Sequence, residues 1–174
     1  GGDSKAPLAP EFRNGGARRT DATTLTGVEK SYPLALTWVN QSQERLGSDV
    51  SADGVGLVLT ESDDILCFDF DDVREPNTGL TEQWAVDLIQ QQLDSYTELS
   101  PSGTGFHTLV RAPDGLDDEY QTECAVGSES ALELYEVDHY VTITGEHVEE
   151  SAYDLAERGE LARDVQRAMM DEDT

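Results

Sequence analysis

The 174-residue chain predicts an α+β fold, a mostly antiparallel sheet with helices to one side. Three observations carry this. Apolar residues recur near helical spacing in three stretches, 31–47, 80–94 and about 151–170. Short apolar or alternating runs with strand character lie at 54–60, 64–70, 105–111, 131–137 and 139–145. The resulting order is helix, hairpin, helix, strand, strand, strand, helix.

Each element has its own local reason. Ser31 can cap the first helix and Pro33 suits its first turn, with Leu34, Trp38 and Leu46 near one stripe. "GVGLVLT" and "DILCFDF" are joined by "ESDD" and read as a hairpin. Thr81 is the expected cap of the second helix, and Trp84, Leu88, Ile89 and Leu93 form its apolar stripe. The last helix carries Leu155, Leu161, Val165 and Met169, with Gly159 as an expected interruption. Residues 1–26 lack periodicity and read as a loop or extended segment, 27–150 as the core, 151–170 as the C-terminal helix and 171–174 as an acidic tail.

Hydrophobic residues make up 37% of the chain, enough for a core, yet the formal net charge is −26. Only Lys5 and Lys30 are lysines. The alternating apolar runs argue against wholesale disorder. The balance instead predicts a folded protein adapted to molar salt, where a Debye length of about 3 Å screens a dense carboxylate coat. Most acids are then solvated surface, and a single Asp or Glu carries little functional weight. Cys67 and Cys124 show neither CxxC spacing nor a disulfide framework, and Cys67 reads as core. The sequence has neither an 18-residue apolar span nor a signal-peptide pattern, which predicts a cytoplasmic protein with no membrane partner.

Three motifs carry chemistry. In "ILCFDFDDV", strand alternation sends Asp69 and Asp71 to one face and Phe68, Phe70 and Asp72 to the other. Neighbouring carboxylates repel unless a cation lies between them, and hard divalent ions prefer oxygen ligands. The competing reading is a salt-tolerant strand end followed by an acidic turn. In "SPSGTGFH", Pro101, Gly103 and Gly105 shape a tight turn whose amides could approach an anion. Ser102 and Thr104 add hydroxyls, and His107 begins a strand where it can reach a phosphate; a purely structural His is the alternative. No Gly-Lys-Ser/Thr follows, so this is not a Walker A loop. In "ALELYEVDHYVTITG", Glu133 lies between Leu132 and Leu134 and shares a face with Ala131 and Tyr135. Such an acid is costly unless paired, metal-bound or on a solvated face.

Together, in this order, the motifs resemble the archaeo-eukaryotic primase superfamily, and more closely the primase-polymerase domains of viruses, plasmids and integrated elements. The family's pattern is an apolar strand ending in Asp-x-Asp, a Ser-x-Gly-x-x-His-like turn, and an apolar strand with a third acid. "CFDFDD", "SGTGFH" and "LELYE" match it, "HYVTITG" matches a following Thr-x-Thr-Gly segment, and similarity extends over about 5–148. The resemblance implies a primase core: an antiparallel sheet of RNA-recognition-like form packed on a second small α/β unit, with the site in the cleft between them. It implies template-directed nucleotidyl transfer with Mg²⁺ or Mn²⁺ held by Asp69, Asp71 and Glu133. Ser102, Gly103, Thr104, Gly105 and His107 would hold the triphosphate, with Lys5 as a basic contact near the start.

One position departs from that pattern. The family places Arg just before the aromatic of the Thr-x-Thr-Gly strand; here it is His139, a weaker triphosphate ligand. The implied partners are a single-stranded DNA template, nucleoside triphosphates and a replicative helicase, and the implied source is a halophilic archaeon or its mobile element. The extent suggests an isolated catalytic domain or a short stand-alone relative. Because the net charge opposes DNA binding, Arg13, Arg18, Arg19 and Arg111 are the expected backbone contacts. Competing readings are a primase-like accessory module that binds without chemistry, a two-metal nuclease, and a halophilic domain whose acids are all surface.

Overall fold

The computed structural model describes residues 8–11, 16–19, 33, 35–37, 39–40, 54–117, 122–126 and 129–171. The chain divides into two compact units, Gly1–Val58 with Asp138–Ile143, and Leu59–Val137 with Thr144–Thr174.

In the first unit, β1 (Leu8–Glu11) pairs antiparallel with β2 (Gly16–Arg19). The segment expected to be a loop or extended chain therefore contains a short hairpin. Pro33, 35–37 and 39–40 are helical, and the Thr37 hydroxyl donates to the Pro33 carbonyl at 2.7 Å. The remainder of the helix expected over 31–47 lies outside the described residues. β3 (Val55–Leu59) pairs with β9 (His139–Ile143). This corrects the expected hairpin of 54–60 with 64–70. Both edges of the second run are taken by other strands, so the short "ESDD" link joins two sheets.

That second run is β4 (Ile65–Asp71), the middle of a five-stranded antiparallel sheet in the second unit. The order is β5 (Thr97–Leu99), β6 (Phe106–Arg111), β4, β8 (Ser130–Tyr135), β7 (Glu123–Val126). In the middle of this central strand Leu66, Cys67 and Phe68 are all fully buried, and towards its end burial alternates, with Phe70 buried between half-buried Asp69 and Asp71. On one face Leu66, Phe68, Phe70, Phe106, Val110, Leu132 and Leu134 form the core with residues of the helices. Burying each large apolar side chain contributes about 1.5–3 kcal/mol.

The expected second helix is shorter and has two parts. α1 (Gln83–Asp87) runs into a π-helical segment, Leu88–Leu93, which closes when the Asp94 N–H donates to the Ile89 carbonyl at 2.9 Å. The wider turn keeps Leu88, Ile89 and Leu93 all in the core. Glu82, not Thr81, occupies the N-cap position, and its carboxylate accepts from the Trp84 indole at 2.5 Å. The expected C-terminal helix begins only at Gly159: α2 is Gly159–Asp171. The preceding stretch cannot be helical because its backbone bonds to the sheet. The Arg111 N–H donates to Ala156 O, the Arg158 N–H to Arg111 O, and the Tyr96 N–H to Asp154 O. On α2, Ala162, Gln166 and Met169 are buried, and Gln166 bonds both backbone groups of Asp117 at 2.9 and 3.0 Å. Among the described residues no helix is long and apolar enough to cross a membrane.

Candidate functional site

The sheet face opposite the core is built differently. Cα partners across antiparallel strands project to the same side. The pairs Glu98↔His107, His107↔Asp69, Asp69↔Glu133 and Glu133↔Glu123 therefore form one row of ionisable residues across all five strands. Asp71 lies two residues beyond Asp69 on the same face. Carboxylate oxygens of Asp69, Asp71 and Glu133 all come within 4.8 Å of one another. All three side chains are half-buried. Asp72 takes no part in the strand: its φ of 52° turns the chain out of β4.

This donor set is all oxygen and all anionic, which fits a hard divalent cation such as Mg²⁺ or Mn²⁺ and not a thiolate-preferring metal. Glu133 also accepts a hydrogen bond from the Tyr135 hydroxyl, two residues on along the same face. His107 is buried, with Nε2 3.5 Å from Asp69 Oδ1 and Nδ1 3.7 Å from Glu98 Oε1. Cys67 lies on this face too. Its burial, then the charges of Asp69 and Glu98, push the thiol well above its ordinary value.

The Ser/Gly turn sits against the end of β4. A Cβ on Gly105 would collide with the Phe70 carbonyl, so only glycine allows this approach. Gly103 has a φ of 73°, which favours glycine for the same lack of a Cβ. Arg74, just past the carboxylates, clamps the turn: its N–H donates to Thr104 O at 2.8 Å and its guanidinium to Gly103 O at 2.8 Å. The turn's amides are not free as the sequence suggested. Gly103 N–H donates to Ser100 O, Thr104 N–H to Ser102 Oγ, and Gly105 N–H to Ser100 Oγ. The hydroxyls of Ser102 and Thr104 hydrogen-bond each other at 2.8 Å on the exposed rim of the turn.

The structure thus brings together Asp69, Asp71, Glu133 and His107, with Ser102, Gly103, Thr104 and Gly105 in the turn leading into β6. His139 is an exposed residue of β9 in the first unit, and Lys5 lies outside the described residues. Arg111 is four residues along β6 from His107, about 13 Å away at strand rise, opposite the start of β4 at Ile65. Arg18 and Arg19 lie on β2, and Arg13 is outside the described residues. Sequence reasoning missed Glu98 and Arg74. Glu98 stands between Thr97 and Leu99 as Glu133 stands between two leucines, and that shared pattern was the available signal. A cavity of about 290 Å³ is lined by Arg74, Ile89, Phe106 and His147, with Thr97 and Leu99 on the face away from the carboxylates.

No family model matches the chain. The chain is 40% identical over 114 residues to a protein named DNA Primase-polymerase from Nitratiruptor phage NrS-1. The match covers 66% of this chain and 15% of that protein, so this chain spans a small part of the relative's length. The similarity supports a primase-polymerase type of domain.

Proposed function

We propose that this chain is a nucleotidyltransferase domain of the primase-polymerase type, extending or starting strands on a single-stranded DNA template. The convergence of Asp69, Asp71 and Glu133 on one sheet face beside His107 carries the reading. The phage relative, named DNA Primase-polymerase, supports the same class of chemistry.

In this proposal the three carboxylates hold Mg²⁺ or Mn²⁺. Such ions, when bound, lower the pKa of the attacking 3′-hydroxyl and stabilise charge on the departing pyrophosphate. His107 donates to a phosphate oxygen of the incoming nucleotide and orients it for in-line attack at the α-phosphorus. The hydroxyls of Ser102 and Thr104 contact the triphosphate from the turn, while Gly103 and Gly105 keep that turn close to the carboxylates. Lys5 and His139 are assigned as further phosphate contacts. The core over 27–150 is the catalytic part, and a helicase is a proposed partner. The net charge of −26 supports a halophilic setting, with arginines making the DNA contacts.

The test is incorporation of labelled nucleotides on a single-stranded template, with and without primer, in roughly 1–3 M KCl to screen the surface carboxylates. Either Mg²⁺ or Mn²⁺ is supplied, and an Asp69→Ala/Asp71→Ala variant runs beside the wild type. Product that vanishes in the variant supports the proposal. A folded, metal-binding wild type that makes no product overturns it. His139, where the pattern of the resembled family has Arg, favours one second reading: an accessory module that binds nucleotide or DNA without chemistry. Nucleotide binding without incorporation, with incorporation gained on His139→Arg, is its signature.

A further inference from the structure

We propose that Tyr153, backed by His147, is a stacking platform for a base of the single-stranded DNA template, at the far end of the sheet face that carries the carboxylates. The identity of the strand rests on the nucleotidyl-transfer reading above. The geometry of the platform stands without it.

The row of residues that crosses the site face does not stop at β5. Residues 146–148 run antiparallel beside that strand. The Leu99 N–H donates to Glu146 O and the Val148 N–H to Thr97 O, both at 2.9 Å, and His147 pairs with Glu98. Such a pair projects its side chains to one side. His147 therefore shares the face of Glu98, His107, Asp69 and Glu133. Three strand spacings of about 4.8 Å place it about 14 Å from Asp69, a distance that a few nucleotides span. All of these residues belong to the second unit.

An exposed tyrosine by itself means little, because much of any protein surface is apolar. Tyr153 differs in how it is held. It is 79% exposed, yet its ring stacks on the His147 imidazole, with centroids 4.0 Å apart and planes 16° apart. With one face against His147, that exposure belongs to the other face and the edges. His147 is fixed in turn. Its Nε2 lies 3.2 Å from Ala152 O and 3.1 Å from Ser151 Oγ, and the Tyr96 ring packs against it at 5.4 Å. The Tyr96 hydroxyl donates to Glu98 Oε2 at 2.9 Å, and the fully buried Glu98 also accepts from the amides of Thr144 and Gly145. Folding has thus already ordered the exposed ring, and pre-organisation of this kind favours affinity. A flat, fixed ring with a free face matches a planar base, and stacking accepts any base.

The surroundings decide how the strand lies. Glu149, Glu150 and Asp154 are exposed close by in sequence, so the base and not the phosphate backbone makes the contact here. Stacking does not depend on counterion release, so it persists in salt that weakens arginine–phosphate contacts. For a chain of net charge −26, it is the form of DNA contact that the charge opposes least.

The probe is a fluorescently labelled single-stranded oligodeoxynucleotide, titrated with the protein in roughly 1–3 M KCl to screen the acids. Tyr153→Ala should weaken binding about 5–150-fold, the worth of one base stack. Tyr153→Phe should keep wild-type affinity, because the ring and not the hydroxyl stacks. An oligonucleotide with iodouracil in place of thymine should crosslink, on irradiation, to the peptide that carries Tyr153. Equal affinity of wild type and Tyr153→Ala overturns the proposal. So does a loss that Tyr153→Phe reproduces, a wild type that does not bind, or crosslinks confined to other peptides. If Tyr153→Ala fails to fold, Tyr153→Phe and the crosslink decide. A wild type that binds through Tyr153 and incorporates no nucleotide overturns the nucleotidyl-transfer reading and leaves the platform standing. Incorporation with a template KM unchanged in Tyr153→Ala overturns the platform alone.

Discussion

Asp69 and Glu133 stand directly opposite each other across the β4–β8 ladder, with Asp71 one step further along the same face. Opposed like charges destabilise an antiparallel pair, so this end of the sheet should gain stability from a cation. Thermal melts with and without Mg²⁺ check this. At a hundredfold excess over Kd, the expected gain is about 2.7 kcal/mol. Asp69→Asn should lose the gain, and without metal it should melt no lower than the wild type.

The turn that delivers His107 depends on Gly105. Gly105→Ala drives a methyl group into the Phe70 carbonyl and should cost on the order of 2–4 kcal/mol, the range of severe steric changes. Denaturant titration measures it. Because the displaced backbone leads straight into β6, nucleotide incorporation should fall in the protein that remains folded.

Arg74 holds the same turn from the other side through Gly103 O and Thr104 O. Arg74→Met keeps the aliphatic stem and the backbone bond to Thr104 O, and removes the guanidinium bond to Gly103 O. The expected result is a raised nucleotide KM with metal affinity retained, read by the same assay and by Mn²⁺ titration.

Glu98 predicts a pH dependence of stability. Its folded pKa is lowered from 4.5, so its contribution is present above that value and is lost as the pH falls through the lowered folded value. The groups facing it are His107, Tyr96, the amides of Thr144 and Gly145, and the Cys67 thiol. The gap in Tm between wild type and Glu98→Gln should be widest above pH 4.5 and narrow in stronger acid. A gap independent of pH would contradict the ionised assignment.

The two cysteines should differ in reactivity. Cys67 is buried with its thiol pushed up, whereas Cys124 is half-buried near the sheet edge. A thiol reagent should label Cys124 first and Cys67 only on unfolding. Repeating the titration at falling KCl also tests the salt-adapted reading: a protein held folded by screening should expose Cys67 as salt is withdrawn.

The sequence by itself determined which residues could share a face. Strand alternation is a local property of the backbone, so Asp69 with Asp71, and Glu133 with Tyr135, were readable without a fold. Glycine placement marked the turn before His107 for the same local reason. Tertiary structure decided what no local pattern encodes. β4 became the centre of its sheet, so the run before it paired with β9 and the expected hairpin did not form. Backbone bonds from 154–158 to Tyr96 and Arg111 withheld those residues from the last helix. Glu98 acquired its place only because β5, β6 and the Thr144–Gly145 segment meet around one carboxylate. Pairing partners and donors distant in sequence are chosen by packing of the whole chain, and they bring four scattered acids and one histidine to one sheet face.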